Sequence, residues 1–153
     1  MKVLFDNRQN IEIFDDYEEI VKNAIEKSLE VEGLEKKYEI SVSFVDNKEI
    51  KNLNCEYRDV DRETDVLSFP TDMVGIDMGD IDTPLGDIVI SVEKAEEQAK
   101  DFGHSTMREI VYLTVHSMFH LMGYDHMVEE DKKIMRNKEK QTISLLGIYR
   151  NEN

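Results

Sequence analysis

The sequence predicts an α+β domain, a small mixed β-sheet of about four strands packed with about five helices. Three observations predict it. Short β-rich runs, of which Tyr38–Val45 alternates polar and apolar residues most regularly, have the period of half-buried strands. Longer segments place apolar residues at three- and four-residue spacing behind Ser, Thr or Asp, the pattern of capped, core-facing helices. The two kinds of segment interleave along 153 residues with no repeat and no linker between them, so one domain is expected.

In chain order, Val3 to Phe5 reads as a short strand, while Ile11–Ile13 alternates over too few residues to predict one. From Asp16 to Leu29, Ile20, Ala24, Ile25 and Leu29 share a helical face that Gly33 brings to a stop. Tyr38–Val45 is the next strand. Asp46 caps a helix to about Tyr57, with Glu49 completing a capping box, and Val66 to Phe69 is a third strand stopped by Pro70. Residues 71–84 mix Gly, Asp and Met without period and read as a flexible loop, either a surface insertion or a flap beside a cleft. Ile88 to Ile90 makes a fourth strand, and Ser91 caps a helix to about Phe102. Thr106 and Glu109 form the capping box of a helix whose Met107, Ile110, Val111, Thr114, Met118, Leu121 and Met122 make one core-facing stripe. A last helix runs from about Val128 to Leu146 and ends at Gly147.

The chemistry is concentrated in residues 116–126. Three of the chain's four histidines, His116, His120 and His126, fall there at relative positions 0, 4 and 10, with Gly123 at position 7. Residues four apart share a helical face, so His116 and His120 can offer two imidazole nitrogens to one ion. A glycine permits the left-handed backbone that ends a helix and returns His126 to the same point. Three neutral imidazoles with room for a water are the ligand set of a catalytic zinc site, where the ion lowers the pKa of the water toward about 7. Nitrogen ligands favour zinc, nickel or a similar ion over magnesium. A lone histidine is usually an ordinary surface residue; three at ligand spacing around a glycine predict a metal centre. Metzincin peptidases share the spacing but place their general-base Glu after the first His, where this chain has Ser117.

Other candidates surround that motif. His104 is a spare imidazole near a helix start, read as a cap or surface residue. Glu109 and Asp125 are carboxylates that could orient an imidazole. Cys55, the one cysteine, excludes an internal disulfide and reads as a half-buried helix residue. No apolar run approaches the ~18 residues of a membrane span. The polar start Met1–Asp6 does not suit a signal peptide, so the cytoplasm is the expected compartment. A net charge of −15 argues against tight non-specific RNA binding, although Lys48, Lys51, Arg58 and Arg62 supply positive charge next to the proposed site.

Beyond the histidines, the chain carries Asn54-Cys55-Glu56-Tyr57-Arg58, Thr64-Asp65-Val66-Leu67-Ser68-Phe69-Pro70 and Leu85-Gly86-Asp87-Ile88-Val89-Ile90-Ser91. Gly103-His104-Ser105, Arg108-Glu109 and Tyr112-Leu113 follow before the histidine motif. In this order and at these separations the segments resemble the YbeY family of bacterial rRNA maturation factors, small metal-dependent endoribonucleases. The resemblance runs over about residues 35–147, and the opening strand and helix suit the family too. Ser117 stands where the family usually has Gly, and a small residue is kept.

The resemblance implies a single YbeY-like domain over residues 1–153 with one zinc-type ion, Zn2+ or another transition metal such as Ni2+, on the three histidines. It implies cleavage of single-stranded RNA by metal-bound water or hydroxide, maturation of the small-subunit (16S) rRNA 3′ end, and ribosome quality control. The partners it implies are the small ribosomal subunit, a small-subunit ribosomal protein and a ribosome-assembly GTPase, with no membrane and no DNA. Arg58, which from the residues alone reads as a surface cation among Asp59, Asp61 and Glu63, is placed by the resemblance at the metal cleft. There a guanidinium can hold the charge that builds on non-bridging phosphate oxygens. Two other classes stand beside this reading: a ribosome assembly factor with a structural metal, and a metzincin-like peptidase, disfavoured by Ser117.

Overall fold

The computed structural model describes residues 1–147. Along the chain lie β1 (Lys2–Asn7), α1 (Tyr17–Glu32), β2 (Tyr38–Val45), α2 (Asn47–Arg58), β3 (Val66–Pro70), β4 (Thr83–Ser91), α3 (Val92–Phe102), α4 (Thr106–Leu121) and α5 (Glu129–Leu146). The four strands form one sheet in the order β1-β2-β4-β3. β1 and β2, and β2 and β4, run parallel, while β3 pairs antiparallel with β4 at the edge. The fold is α+β with a mixed sheet.

Period-two alternation on β2 has the consequence expected of it. Tyr38, Ile40, Val42 and Phe44 are buried on one face, in a core with Val21, Ala24, Ile25 and Leu29 of α1 and Ile88 and Ile90 of β4. On the other face Val45, Leu67 and Val89 meet Ile50 of α2 in a smaller cluster. The Asp46 carboxylate accepts from the Glu49 amide at 2.8 Å, but Glu49 does not reciprocate the box: its carboxylate pairs with Arg8 at 2.7 Å.

Several elements differ from expectation. β1 is longer than Val3 to Phe5, and 11–13 form no strand. β4 starts at Thr83 rather than Ile88, because Thr83 and Pro84 pair with the first residues of β2, a long-range contact that local pattern cannot show. Gly86 inside β4 allows a close approach. With φ of +152°, a Cβ there would lie 2.5 Å from the Phe69 carbonyl oxygen and 2.7 Å from Leu121 Cδ2, so glycine lets the end of α4 close on the β3–β4 pair. The cap of α4 is Ser105, not Thr106; its hydroxyl accepts from the Arg108 amide at 3.1 Å.

The 71–82 segment is pinned rather than loose. The Gly75 amide donates to Tyr38 Oη at 2.9 Å, and the Thr83 hydroxyl donates to the Ile76 carbonyl at 2.7 Å. Its body lies against residues 33–38, and of this segment only Asp72 lines the cleft described below. Cys55 is exposed rather than half-buried.

α4 departs most from its expected single stripe. α1, α3, α5, β3 and β4 all pack on it, so Leu113, Val115, Ser117 and Phe119 are buried along with the predicted face. Between Glu109 and Leu121 only Tyr112, His116 and His120 escape full burial. Four apart from one another, they form the one open line on the helix.

Candidate metal centre

That line carries the site. His116 and His120 lie one turn apart with their Nε2 atoms 3.2 Å from each other. Each has its other ring nitrogen engaged: His116 Nδ1 donates to Glu139 Oε2 at 2.6 Å, and His120 Nδ1 donates to the Tyr124 carbonyl at 3.1 Å. A proton on Nδ1 leaves a lone pair on Nε2, so two lone pairs face one another. Such a pair could share a cation between the rings. Burial first, then the neighbouring His116 and His126, lower the His120 pKa below its ordinary value and keep it in the neutral, ligating form.

The turn after α4 brings in the third imidazole. The Gly123 amide donates to the His120 carbonyl at 3.0 Å and the Tyr124 amide to the Phe119 carbonyl at 2.9 Å, with Gly123 at φ +100°. Tyr124 packs edge-on against Phe119 at 5.6 Å and donates its hydroxyl to Glu32 at 2.7 Å; burial and that carboxylate push its pKa up to about 12. The carboxylate of Asp125 accepts from the amides of His126 and Met127 at 2.6 and 3.1 Å. Asp125 thus fixes the backbone that presents His126 instead of orienting an imidazole ring. One nitrogen from each of His116, His120 and His126 lies within 4.8 Å of the others, so this trio could hold a metal ion.

The carboxylate on His116 is Glu139 of α5, only 5 % exposed, and sequence reasoning missed it because no spacing ties it to the histidine motif. Glu109, proposed for that task, is turned toward α3. It accepts from Gln98 Nε2 at 3.5 Å, and burial raises its pKa. His104 is not in the trio; its Nδ1 lies 3.0 Å from the Ser105 carbonyl and its ring stacks on Phe102. Tyr112 stacks nearly parallel on His116, with ring centroids 6.0 Å apart, and burial and Glu139 push its pKa up to about 12.

The trio opens into a cleft of about 580 Å3 whose other wall is the edge strand β3 and the end of α2. Arg58, the last residue of α2, lines it. Its guanidinium donates to the Ser68 carbonyl and lies 5.2 Å over the Phe69 ring, which fixes the head while leaving other donors of the fork for the cleft. Asn54 Nδ2 donates to the Arg62 carbonyl at 3.1 Å and ties down the connection after α2. Lys48, Lys51 and Arg62 do not line the cleft; among its described lining residues Arg58 is the one Lys or Arg, alongside Asp65, Asp72 and Asp125.

Ser117 is fully buried and shares a hydrogen bond with the Ser68 hydroxyl, so the position of a peptidase base points into the β3 contact. The free edge of β3 is also blunted. Asp65 and Thr71 pair inward with β4, which turns the backbone groups of Val66, Ser68 and Pro70 outward. There Asp65 Oδ1 takes the Val66 amide at 2.8 Å, Arg58 takes the Ser68 carbonyl, and Pro70 has no N–H to give. An extended peptide adding to this edge finds few partners.

Comparison with known proteins agrees with this geometry. The family model described as Endoribonuclease YbeY matches residues 4–147. The chain is 51% identical over 162 residues to Endoribonuclease YbeY of Caldanaerobacter subterraneus subsp. tengcongensis and 48% identical over 159 residues to that of Thermoanaerobacter sp. (strain X514), in each case with 98% of this chain and all of the relative covered. Among solved structures it resembles the solution structure of TM1509 from Thermotoga maritima, with a TM-score of 0.62 at 27% identity over 95% of this chain and 89% of that one. With the family model matched over residues 4–147 and relatives at this identity, the chain belongs to the Endoribonuclease YbeY family.

Proposed function

We propose that this endoribonuclease cuts single-stranded RNA at the three-histidine centre, with Arg58 as the group that holds the scissile phosphate. The observation that carries the reading is the convergence of three imidazole nitrogens and one guanidinium on a single cleft. The donor set fits a zinc-type ion, Zn2+ or Ni2+, since both inner rings present Nε2 and have Nδ1 held. Such an ion supplies Lewis acidity and lowers the pKa of a coordinated water.

The protein residues have separable tasks. His116, His120 and His126 hold the ion, and Glu139 and the Tyr124 carbonyl fix the tautomer and direction of the first two. Arg58, immobilised by Ser68 and Phe69, offers its remaining N–H groups to the non-bridging oxygens as charge builds on them. With a chain charge of −15, long-range attraction to RNA is weak. This supports action in a ribosomal setting: small-subunit rRNA, including its 3′ end, as substrate in the cytoplasm, with a ribosomal protein or assembly GTPase guiding the encounter. The described residues offer three protein ligands to the ion, which supports a catalytic centre over a structural one, since structural zinc is usually closed by four.

The test is incubation of metal-loaded protein with single-stranded RNA, with and without chelator, beside His116→Ala. Cleavage should need metal and vanish in the variant. Undiminished cleavage by His116→Ala overturns the site. An intact ribosome-assembly role with no cleavage by any metal-loaded form favours the structural-metal reading instead.

A further inference from the structure

α5 carries an unusual charge for this chain. Residues 132–140 contain Lys132, Lys133, Arg136, Lys138 and Lys140, five of its 19 Lys and Arg, against one acid, Glu139. Glu139 is buried and receives the His116 N–H, so the exposed middle of the helix is cationic in a protein of net charge −15. Lys138 is committed elsewhere, to Glu32 of α1 at 3.4 Å. Arg136 and Lys140 are exposed, four residues apart on one face, and neither is paired with a carboxylate among the described residues.

Those two cations line a groove of about 470 Å3 together with Tyr112, Glu139, Ile143 and Ser144. The groove adjoins the metal centre through two contacts already described. Glu139 lines it while its carboxylate holds His116 Nδ1, and Tyr112, 38 % exposed, also lines it and stacks on the His116 ring at 6.0 Å. An aromatic ring beside two unpaired cations is the minimal platform for a single strand: a base stacks on the ring and the cations take the backbone phosphates. The partner is fixed by charge sign and by the two contacts that tie the groove to His116, a lining residue of the cleft.

We propose that the Tyr112–Arg136–Lys140 groove is a second RNA-binding subsite, which holds the single strand one or more nucleotides beyond the bond cut at the three-histidine centre. This rests on the reading of that centre as the cleavage site. In the subsite Arg136 and Lys140 neutralise phosphates and Tyr112 receives a base on its exposed face. Tyr112 and Glu139 of the groove both touch His116, which lines the cleft with Arg58, so a strand that spans the two passes over the His116–Tyr112 stack.

The test uses full-length, metal-loaded protein and a short fluorescent 2′-O-methyl oligoribonucleotide, checked to remain uncut. Its anisotropy is titrated over a range of salt. R136Q/K140Q should weaken binding about tenfold at low salt and flatten the log–log salt slope by about 1.4, the value for two lost phosphate contacts on a single strand. The control K22Q/K100Q removes the same charge from exposed positions on α1 and α3, and should change binding little. A 4-thiouridine version should photo-crosslink to the peptide containing Tyr112, and Tyr112→Leu should lose the adduct while keeping its circular dichroism. Wild-type affinity and slope in R136Q/K140Q, with normal RNA cleavage by the wild-type protein, overturns the groove alone. An equal loss in K22Q/K100Q also overturns it, as general electrostatics. Absence of metal-dependent cleavage by the wild-type protein overturns the cleavage-site reading on which the groove depends.

Discussion

Replacement of Glu139 isolates what a buried carboxylate does for a metal centre from another helix, α5, 23 residues beyond the histidine it holds. Its Oε2 takes the His116 N–H at 2.6 Å, from a side chain that is almost wholly enclosed. A carboxylate there fixes the tautomer and raises the basicity of the opposite nitrogen; losing such a partner typically costs ~10–100-fold in metal affinity, or ~1.4–2.7 kcal/mol. Glu139→Gln keeps an acceptor for the N–H and loses the charge, so it belongs at the ~10-fold end, whereas Glu139→Ala removes both and belongs near ~100-fold. Zinc affinity is read by competition with a chromophoric chelator, beside a thermal melt of each metal-free protein. The expected order is wild type, then Gln, then Ala, with the Gln variant melting within a few degrees of wild type in chelator. Wild-type affinity in Glu139→Ala would refute the reasoning, as would an affinity loss matched by collapse of the metal-free fold.

Arg58→Ala should keep its metal and most of its stability while cleavage falls about 10²–10³-fold, and Arg58→Lys should recover only part of the rate, because an ammonium lacks the planar fork; single-turnover cleavage beside metal analysis checks both. Gly86→Ala places a Cβ against the Phe69 carbonyl and Leu121, and should destabilise the fold by about 2–4 kcal/mol in urea titration. Glu109→Gln should stabilise the protein at about pH 7 and leave it unchanged at about pH 4. Burial raises the Glu109 carboxyl above its ordinary 4.5, so as pH rises from 4.5 the unfolded chain ionises first and the folded state loses stability up to the raised value and keeps that deficit above it. Melts in chelator across that range show whether the gap opens in the predicted direction.

The histidine trio was legible because both of its causes are local: a helical repeat of four and a glycine that turns the chain. Tyr38–Val45 and the caps Asp46 and Ser91 were legible for the same reason. What escaped depends on contacts between distant segments. The first half of β4 exists by pairing with β2, across Pro84 and Gly86 that locally signal a break. Glu139 reaches His116 only through the packing of α5 on α4, and Glu109, better placed on paper, is drawn to Gln98 by α3. The charge expectation failed in the same way: Lys48, Lys51 and Arg62 are near Arg58 in sequence yet do not line the cleft, while the α5 cations, read merely as part of a final helix, flank the site.

The difference between this centre and a peptidase of similar spacing follows from how α4 is buried. A helix covered by three other helices and two strands has no freedom to turn a residue next to His116 outward, so position 117 must be small and self-satisfied, and Ser117 closes on Ser68. Ser68 in turn gives its carbonyl to Arg58, which removes an edge group that a peptide would need and at the same time sets a guanidinium opposite the imidazoles. On the reading proposed above, the same contacts that withhold a base and an edge strand from peptide chemistry serve phosphate chemistry, with three imidazole nitrogens for an ion on one wall and one fixed guanidinium on the other.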